Sequence, residues 1–582
     1  MRRAALAALV VVGAIVACSN DRDPFAVKAS PPPFEVEAGT DSAAPACAGA
    51  RCARDLRKVV DGCDESRVLA ECGENEGCSD GRCIPACDIS GSSTGCEFVA
   101  VPPAPQKDSA GSCFAAIVTN TWESPAHVEA EYDGEALDLL TSARIIRTEN
   151  GVVSYVPFSG EIQPGEAAVL FLTATYVPNT DMNVACPLGI KPAHATTAQN
   201  GTWRGSAIRI KTSAPVSAYS IYPFGGAKSF IPSATLLLPV SAWKTGYVVT
   251  NPAEKMTRSG IPAYATTQIV AAEDDTEVVI VGSEHIEPGR DVEGASRGVP
   301  KTYRLRRGEQ IQFEQERELT GTRISANKKI GVWSGHECMD APMGYCCCDS
   351  SQLQLFPVGA MGREYAVVPY LARAGEEVGE DYNFRITGAV DGTVLTYEPA
   401  PPEGAPPTLA AGESVPFKSR GPFVVRSQDA EHPIAVYAFM TGPIDGSGEG
   451  DPEFTAVVPT EQYLGRYVFF IDPTYRDSQI VVVRSREEGK GFEPVILDCA
   501  GPLEGWQPLG TSGRHEYTRM RLTKNFEPQT VGTGTCGAGR HVLESRGPAA
   551  VTVWGTDNWA SYAYPGGAAS RLLNQVDPVV VR

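Results

Sequence analysis

Four related segments recur along the chain: PVSAYSIYP from Pro215, KIGVWSGH from Lys329, PIAVYAFMTG from Pro433 and PAAVTVWGTD from Pro548. They start 114, 104 and 115 residues apart, a period that belongs to a repeated supersecondary unit. Each is a strand-length run of β-branched, aromatic and small residues. Two of the units share a further order, AAEDDTEVVI then LRRGEQIQF, and GAVDGTVLTYE then LAAGESVPF. The D-D-T and D-G-T steps suit tight turns, because Asp and Gly accept the positive φ such turns demand. A proline followed by Gly and Tyr returns in LLPVSAWKTGYVV, LFPVGAMGREYAVV and VVPTEQYLGRYVFF. Between these marks lie TEVVIVG (276–282), IQFEQE (311–316), FVVRS (423–427), YVFFI (467–471) and QIVVVRS (479–485), all strand-like and bounded by turn residues. The pattern predicts an all-β body of about four tandem repeats of roughly 110 residues. The repeats are β-sandwich-like, with a propeller-like arrangement as the alternative. At 582 residues the chain exceeds what one core organises, so modules are expected.

The N-terminus, MRRAALAALVVVGAIVACSN, has two arginines and an apolar run from Ala4 to Val16 before Ile15-Val16-Ala17-Cys18. This reads as an export signal, residues 1–18, ending in a motif that resembles a bacterial lipobox, with Cys18 as the lipidation site. The expected location is the cell envelope, lipid-anchored at the outer membrane or cell surface, so the membrane is a partner through the anchor. Residues 19–46, including ASPPPFEVEAGTDSAAPA, read as a flexible tether. A formal net charge of −20 argues against nucleic acid as a partner.

Setting Cys18 aside leaves sixteen of seventeen cysteines, an even number for an oxidising compartment. Eight of them, Cys47, Cys52, Cys63, Cys72, Cys78, Cys83, Cys87 and Cys96, crowd a polar stretch around CGENEGCSDGRC. Such a segment, taken as a module over 47–94, needs disulfides in place of an apolar core; its spacing lacks the C-x2-C knuckles of a zinc site. GCSDG (77–81) spells G-x-S-x-G in loop-rich surroundings and reads as a turn, and so does GTGTCG (532–537). In the body, Cys113 with Cys186 and Cys499 with Cys536 are expected pairs, each within one unit. DGSGEGDPE (445–453) alternates acids as calcium loops do, which makes Asp445 and Asp451 weak calcium candidates, although Ala456 stands where an EF-hand needs its last acid. No cofactor is otherwise expected.

The densest chemistry is SGHECMDAPMGYCCCDSSQ (334–352), with His336, Cys338, Cys346, Cys347 and Cys348. A metal site, a catalytic thiol and a disulfide-closed loop are the three readings. The oxidising compartment favours the last, with Cys338 closing onto a later cysteine. Adjacent Cys346 and Cys347 could bond to each other only through a strained vicinal ring.

Together, GCEF (95–98), SGHEC, Cys348-Asp349, Gln354-Leu355 before Pro357, Gly362 with Tyr365 and Val367-Val368-Pro369, Gly450-Asp451-Pro452 and SYAYPGG (561–567) resemble the N-terminal domain family of IgGFc-binding protein. The resemblance covers residues 95–567 and leaves 568–582 as a tail. It implies an extracellular binding or structural protein with no catalytic residues. It also implies that Gly335, His336, Cys338, Cys348 and Asp349 carry the family motif, with Cys338 paired to Cys348. The family pattern has a second histidine where Ser350 stands and a tryptophan where Met361 stands, which weakens His336 as a zinc ligand. The expected function is that of an anchored, non-catalytic β-repeat body for adhesion or for binding an extracellular protein or glycan. The alternative is a secreted, carboxylate-dependent hydrolase of glycans or peptides.

Overall fold

The computed structural model describes residues 49–578 apart from 54, 65–66, 150–151, 176–181, 259, 343–346, 374, 376–378 and 444–447. Cys18, Cys47, Cys346 and Asp445 lie outside the described residues. The expected all-β class is observed: strands and turns make up almost everything, and the α-helix Leu139–Ser142 is one turn long.

The four recurrent segments occupy equivalent places. They form β1 (Ile208–Tyr222), β3 (Arg323–Met339), β5 (Ile434–Met440) and β7 (Gly539–Asp557). Each pairs antiparallel with the next strand in sequence: β2 (Ser233–Leu237), β4 (Asp349–Gln354), β6 (Glu453–Ala456) and β8 (Ala560–Pro565). Around each such pair the remaining strands of that part of the chain build one lobe.

The long strands change partners midway, and the motif proline explains where. The first half of β1 pairs with Gly95–Ala100 and Ala126–Tyr132, the second half with Phe114–Asn120 and β2, and the shift falls between Lys211 and Val216, beside Pro215. In β7 the switch from Leu464–Ile471 to Asp477–Ser485 falls at Pro548-Ala549. Proline has no N–H to give a ladder, so the strand drops one partner there and takes up another. In the third lobe the break is complete: Phe423–Ser427 is a separate strand and β5 begins directly after Pro433.

The recurrent tyrosine pins this switch. Tyr247, Tyr365 and Tyr467 donate their hydroxyls to the carbonyls of Ile330, Ile434 and Ala549 at 2.7, 2.5 and 2.5 Å, the second position of the motif in each case. The recurrent proline caps a short 3-10 turn each time, at Pro239, Pro357 and Pro459. Gly95 and Gly362 allow the close approach of such a proline, since an added Cβ would stand 2.5 Å from Pro239 Cβ and 2.4 Å from Pro459 Cβ.

The hairpin strands meet in a closed order, with contacts from β2 to β4, β4 to β6, β6 to β8 and β8 back to β2. The cores follow the same cycle. One joins the last lobe to the first, including Tyr219 stacked on Tyr564 at 4.4 Å. Others join first to second around Trp243 and Trp333, second to third, and third to fourth. The ends close the circuit: Ser93 N donates to Ala568 O at 2.7 Å and Ala568 N to Ser93 Oγ at 3.0 Å. The stretch set apart as a tail is therefore built into the body as far as Pro578, with Asn574 donating to Val358 O and Met361 O.

The Cys-rich segment also packs on the body, through Ala86 and Ile89 in the first lobe's core and Trp122 Nε1 donating to Glu74 O at 2.8 Å. Disulfides join Cys52–Cys78, Cys72–Cys83 and Cys87–Cys96. Cys113 is bonded to Cys186 in the first lobe and Cys499 to Cys536 in the last. GCSDG is a hairpin turn with Asp80 and Gly81 at φ 49° and 72°. GTGTCG holds the turn between Glu527–Val531 and Gly534–Cys536.

Lobes three and four are tied by charge. Buried Glu364 meets Arg426 of its own lobe, Arg514 at 3.3 Å and His515 Nε2 at 3.0 Å of the next. Burial pushes the Glu364 carboxyl up, but His515 and Arg426 outweigh it and hold it at about 2, below the ordinary 4.5. The stabilisation is thus complete above pH 4.5 and lost as pH falls toward 2. Glu364→Gln should cost about 3 kcal/mol at neutral pH, and denaturant titrations from pH 7 downward should show the gap to wild type closing only as pH drops toward 2.

Candidate functional site

All four hairpin connections emerge at the same end of the cycle, and a groove of about 880 Å3 opens among them. Phe230 and Ile231 come from the β1–β2 connection, Cys338, Cys347 and Cys348 from β3–β4, Asp451 from β5–β6 and Trp559 from β7–β8. Gly260 to Tyr264, Glu314 and Glu337 of the second lobe form the opposite wall, with Asn200 and Met182 beside them. A second cleft, about 610 Å3, draws only on the Cys-rich segment and the last lobe.

Two aromatic residues sit at the mouth in unfavourable backbone conformations, Phe230 at φ 60° and Trp559 at φ 54°. A bulky side chain in the left-handed region costs on the order of 1 kcal/mol or more; the surroundings must impose it. For Trp559 the tie is the neighbouring loop: its N–H donates to Gly448 O at 2.6 Å, and Gly450 N donates to Asp557 O at 2.8 Å. That loop is held from beneath by Arg373, which pairs with fully buried Glu380 at 2.5 Å and donates to the carbonyls of Thr441 and Glu449. Phe230 and Ile261 leave 39% and 38% of their surface exposed, so the rim offers apolar and aromatic area to a partner.

On the floor, Glu314 and Glu337 face each other. The strand Ala265–Ala271 lies between theirs, with Thr266 opposite both Glu314 and Gly335. Tyr264 N donates to Glu337 Oε2 at 3.0 Å, Asn200 Nδ2 donates to Oε1, and Gly201 N donates to Glu314 Oε2 at 2.6 Å. Burial, then the charge of Glu314, pushes Glu337 up to about 8, and burial raises Glu314. Both carboxyls therefore hold their protons to higher pH than an exposed glutamate does, Glu337 the more so.

The family-motif residues frame this floor. Gly335 sits where a Cβ would stand 2.3 Å from Ser351 O. His336 is buried with both ring nitrogens engaged: Nδ1 accepts from Cys338 N at 3.0 Å and Nε2 donates to Glu254 O at 2.9 Å. Burial lowers its pKa to about 4, so it is neutral and serves the loop, with no nitrogen left for zinc. Cys338 is bonded to Cys348. Ser350 donates to Ile231 O at 2.6 Å, tying β4 to the β1–β2 connection, and Met361 fills the core between lobes two and three. Asp349 and Asp451 are buried near each other beneath the groove. Asp498, Cys499 and His541 are the one trio among the described residues whose metal-binding atoms lie within 4.8 Å of one another, but Cys499 is committed to its disulfide. Among the described residues, no helix is long and apolar enough to cross a membrane.

Sequence reasoning singled out His336 and the cysteines and passed over Glu314, Glu337, Phe230 and Trp559. Trp559 carried a signal: Asn558-Trp559 is a two-residue hairpin turn, where tryptophan has no conformational reason to be.

A closed cycle of β lobes, with a mixed aromatic and acidic groove where its loops converge, has the concave architecture in which proteins commonly bind ligands. The sequence pattern described as IgGFc binding protein matches residues 233–555, more than half of the chain, and the chain belongs to that family. The human IgGFc-binding protein is 28% identical over 264 residues, 45% of this chain. The match spans 4% of the human protein's length.

Because Glu337 sits above its ordinary 4.5, the stability it contributes is full below that pH and is lost as pH rises through about 8. Thermal melts should therefore decline from pH 5 to pH 9, and Glu337→Gln, fixed in the neutral form, should flatten that decline.

Proposed function

We propose that this is a non-catalytic binding protein of the cell envelope, anchored through a lipidated Cys18, which takes an extracellular protein or glycan ligand in the groove between its hairpin loops. The carrying observation is the groove itself: exposed Phe230 and Ile261 and half-buried Trp559 line it together with a carboxyl pair. Aromatic faces provide contact area for a sugar ring or an apolar side chain, while Asn200 and the carboxyl pair offer donors and acceptors for orientation. A net charge of −20 supports ligands other than nucleic acid. The family membership supports a binding role.

The test is a binding panel of mucin, envelope polysaccharides and IgG Fc against the mature chain, with Fc included because of the human relative's name. Trp559→Ala should weaken the responding ligand by about tenfold, the ~1 to 2 kcal/mol of an interface aromatic. Full retention with both Trp559→Ala and Phe230→Ala would place binding elsewhere. For the anchor, Cys18→Ala should move the protein from the membrane fraction to the soluble one and abolish labelling by a palmitate analogue.

The carboxyl pair favours a second reading, as a hydrolase. Glu314 and Glu337 stand on the two strands that flank Ala265–Ala271, and the charge of Glu314 helps to raise Glu337. Two interacting carboxyls, one of them held protonated, are a pairing that acid–base hydrolysis can use. Cleavage of a peptide library that is lost in Glu337→Gln would establish this reading; no cleavage leaves the binding role.

A further inference from the structure

The groove floor continues into a buried acidic cluster. Asp349 opens β4, Glu453 opens β6 and Asp451 lies two residues before it, so all three sit at the loop end of the hairpin cycle, at 0%, 0% and 1% exposure. Among the described residues no Lys, Arg or His makes an ion pair with Asp349 or Glu453. Glu453 is well supplied with donors: Ser233 Oγ at 3.2 Å, Phe454 N at 2.8 Å and Ala563 N at 3.3 Å. Asp349 differs. Neither of its carboxylate oxygens receives a hydrogen bond, the amides of Ser350 and Ser561 being nearby without meeting the geometry of one.

A separate group, not acidic, points the same way. Tyr475, 1% exposed, has a hydroxyl with no hydrogen-bond partner, and the charges of Asp472, Asp349 and Glu453 act on it. A buried carboxylate without donors costs several kcal/mol. A proton would cancel the charge yet leave the remaining lone pairs of Asp349 unsatisfied. A cation cancels charge and occupies lone pairs together.

We propose that a calcium ion binds at the loop end of the hairpin cycle, ligated by Asp349 and Asp451, with Glu453 and the Tyr475 hydroxyl surrounding it. Every available donor is oxygen, which selects a hard cation. The three carboxylates are set wider than one bare ion's shell, since they are not among the groups whose ligand atoms lie within 4.8 Å. Calcium tolerates such a site, because it takes 6 to 8 oxygens in flexible geometry and accepts water and backbone carbonyls, whereas magnesium demands a tight octahedron. Asp451 also lines the groove, which provides the path of entry. The sequence suggested Asp445 and Asp451 as weak calcium candidates; the proposed site keeps Asp451 and adds Asp349, while Asp445 lies outside the described residues.

The site is testable without any ligand for the groove, so it stands or falls apart from the binding role. The chelator-treated full chain is titrated with calcium chloride by calorimetry and melted with and without the ion. Tight uptake of one ion per chain and a melting temperature raised by calcium are expected. Asp349→Asn should weaken uptake by ~10-fold or more while melting no lower than wild type in chelator, because the isosteric amide removes the repulsion. Tyr475→Phe should fold normally and weaken uptake severalfold. No uptake by wild type at millimolar calcium, or uptake undiminished in Asp349→Asn, overturns the proposal, as does an Asp349→Asn protein that melts lower in chelator and keeps the full calcium shift.

Discussion

The contact cycle of β2, β4, β6 and β8 is the constraint on which the rest of this molecule depends. The first lobe has a core of its own, but every boundary between lobes is also filled by a core that combines residues of two, last with first, first with second, second with third, third with fourth. Burial of that kind is cooperative: opening one boundary exposes apolar area on two lobes, at roughly 25 cal/mol for every Å2 returned to water. The motif prolines serve the same end, since a strand that must serve two sets of partners needs a point where one ladder stops, and Pro215 and Pro548 supply it without an unsatisfied N–H. The tyrosine hydroxyl at each switch then fixes the strand where it changes partners.

Closure also explains where function can reside. Hairpin strands that converge must bring their connections together at one end, so residues far apart in sequence, Phe230, Cys348, Asp451 and Trp559, become neighbours around one groove. The loops need not carry the fold, because the strands beneath already do. That leaves them able to hold strained aromatics over a carboxyl pair and a buried acidic cluster set in or at the ends of the strands. The Cys338–Cys348 bond and neutral His336 shape the strand end that carries Glu337.

Much of the fold was legible in the sequence because its marks are local. Strand-length apolar runs, the D-G-T and D-D-T turns at Gly392 and Asp275, and the Pro…Gly…Tyr sequence each express a backbone requirement within a few residues. The pairs Cys113–Cys186 and Cys499–Cys536 likewise fall inside single lobes. The closed order of lobes was not legible, since nothing in β2 names β8 as its neighbour. The site was legible only in outline. SGHEC marks the right part of the chain through its histidine and cysteine, whereas Glu337 between them meets Glu314 only through the register of Ala265–Ala271. Asp349 and Asp451 stood in recognisable motifs, yet their burial together follows from the cycle.

Hydrogen exchange by mass spectrometry on a chain truncated after Tyr564, which removes the Ser93–Ala568 closure, tests this account most directly. If the cycle carries the fold, exchange should accelerate in β2, β4 and β6 together, although the deletion touches none of their own ladders. Acceleration confined to the last lobe, with β2, β4 and β6 protected as in the full chain, would contradict it.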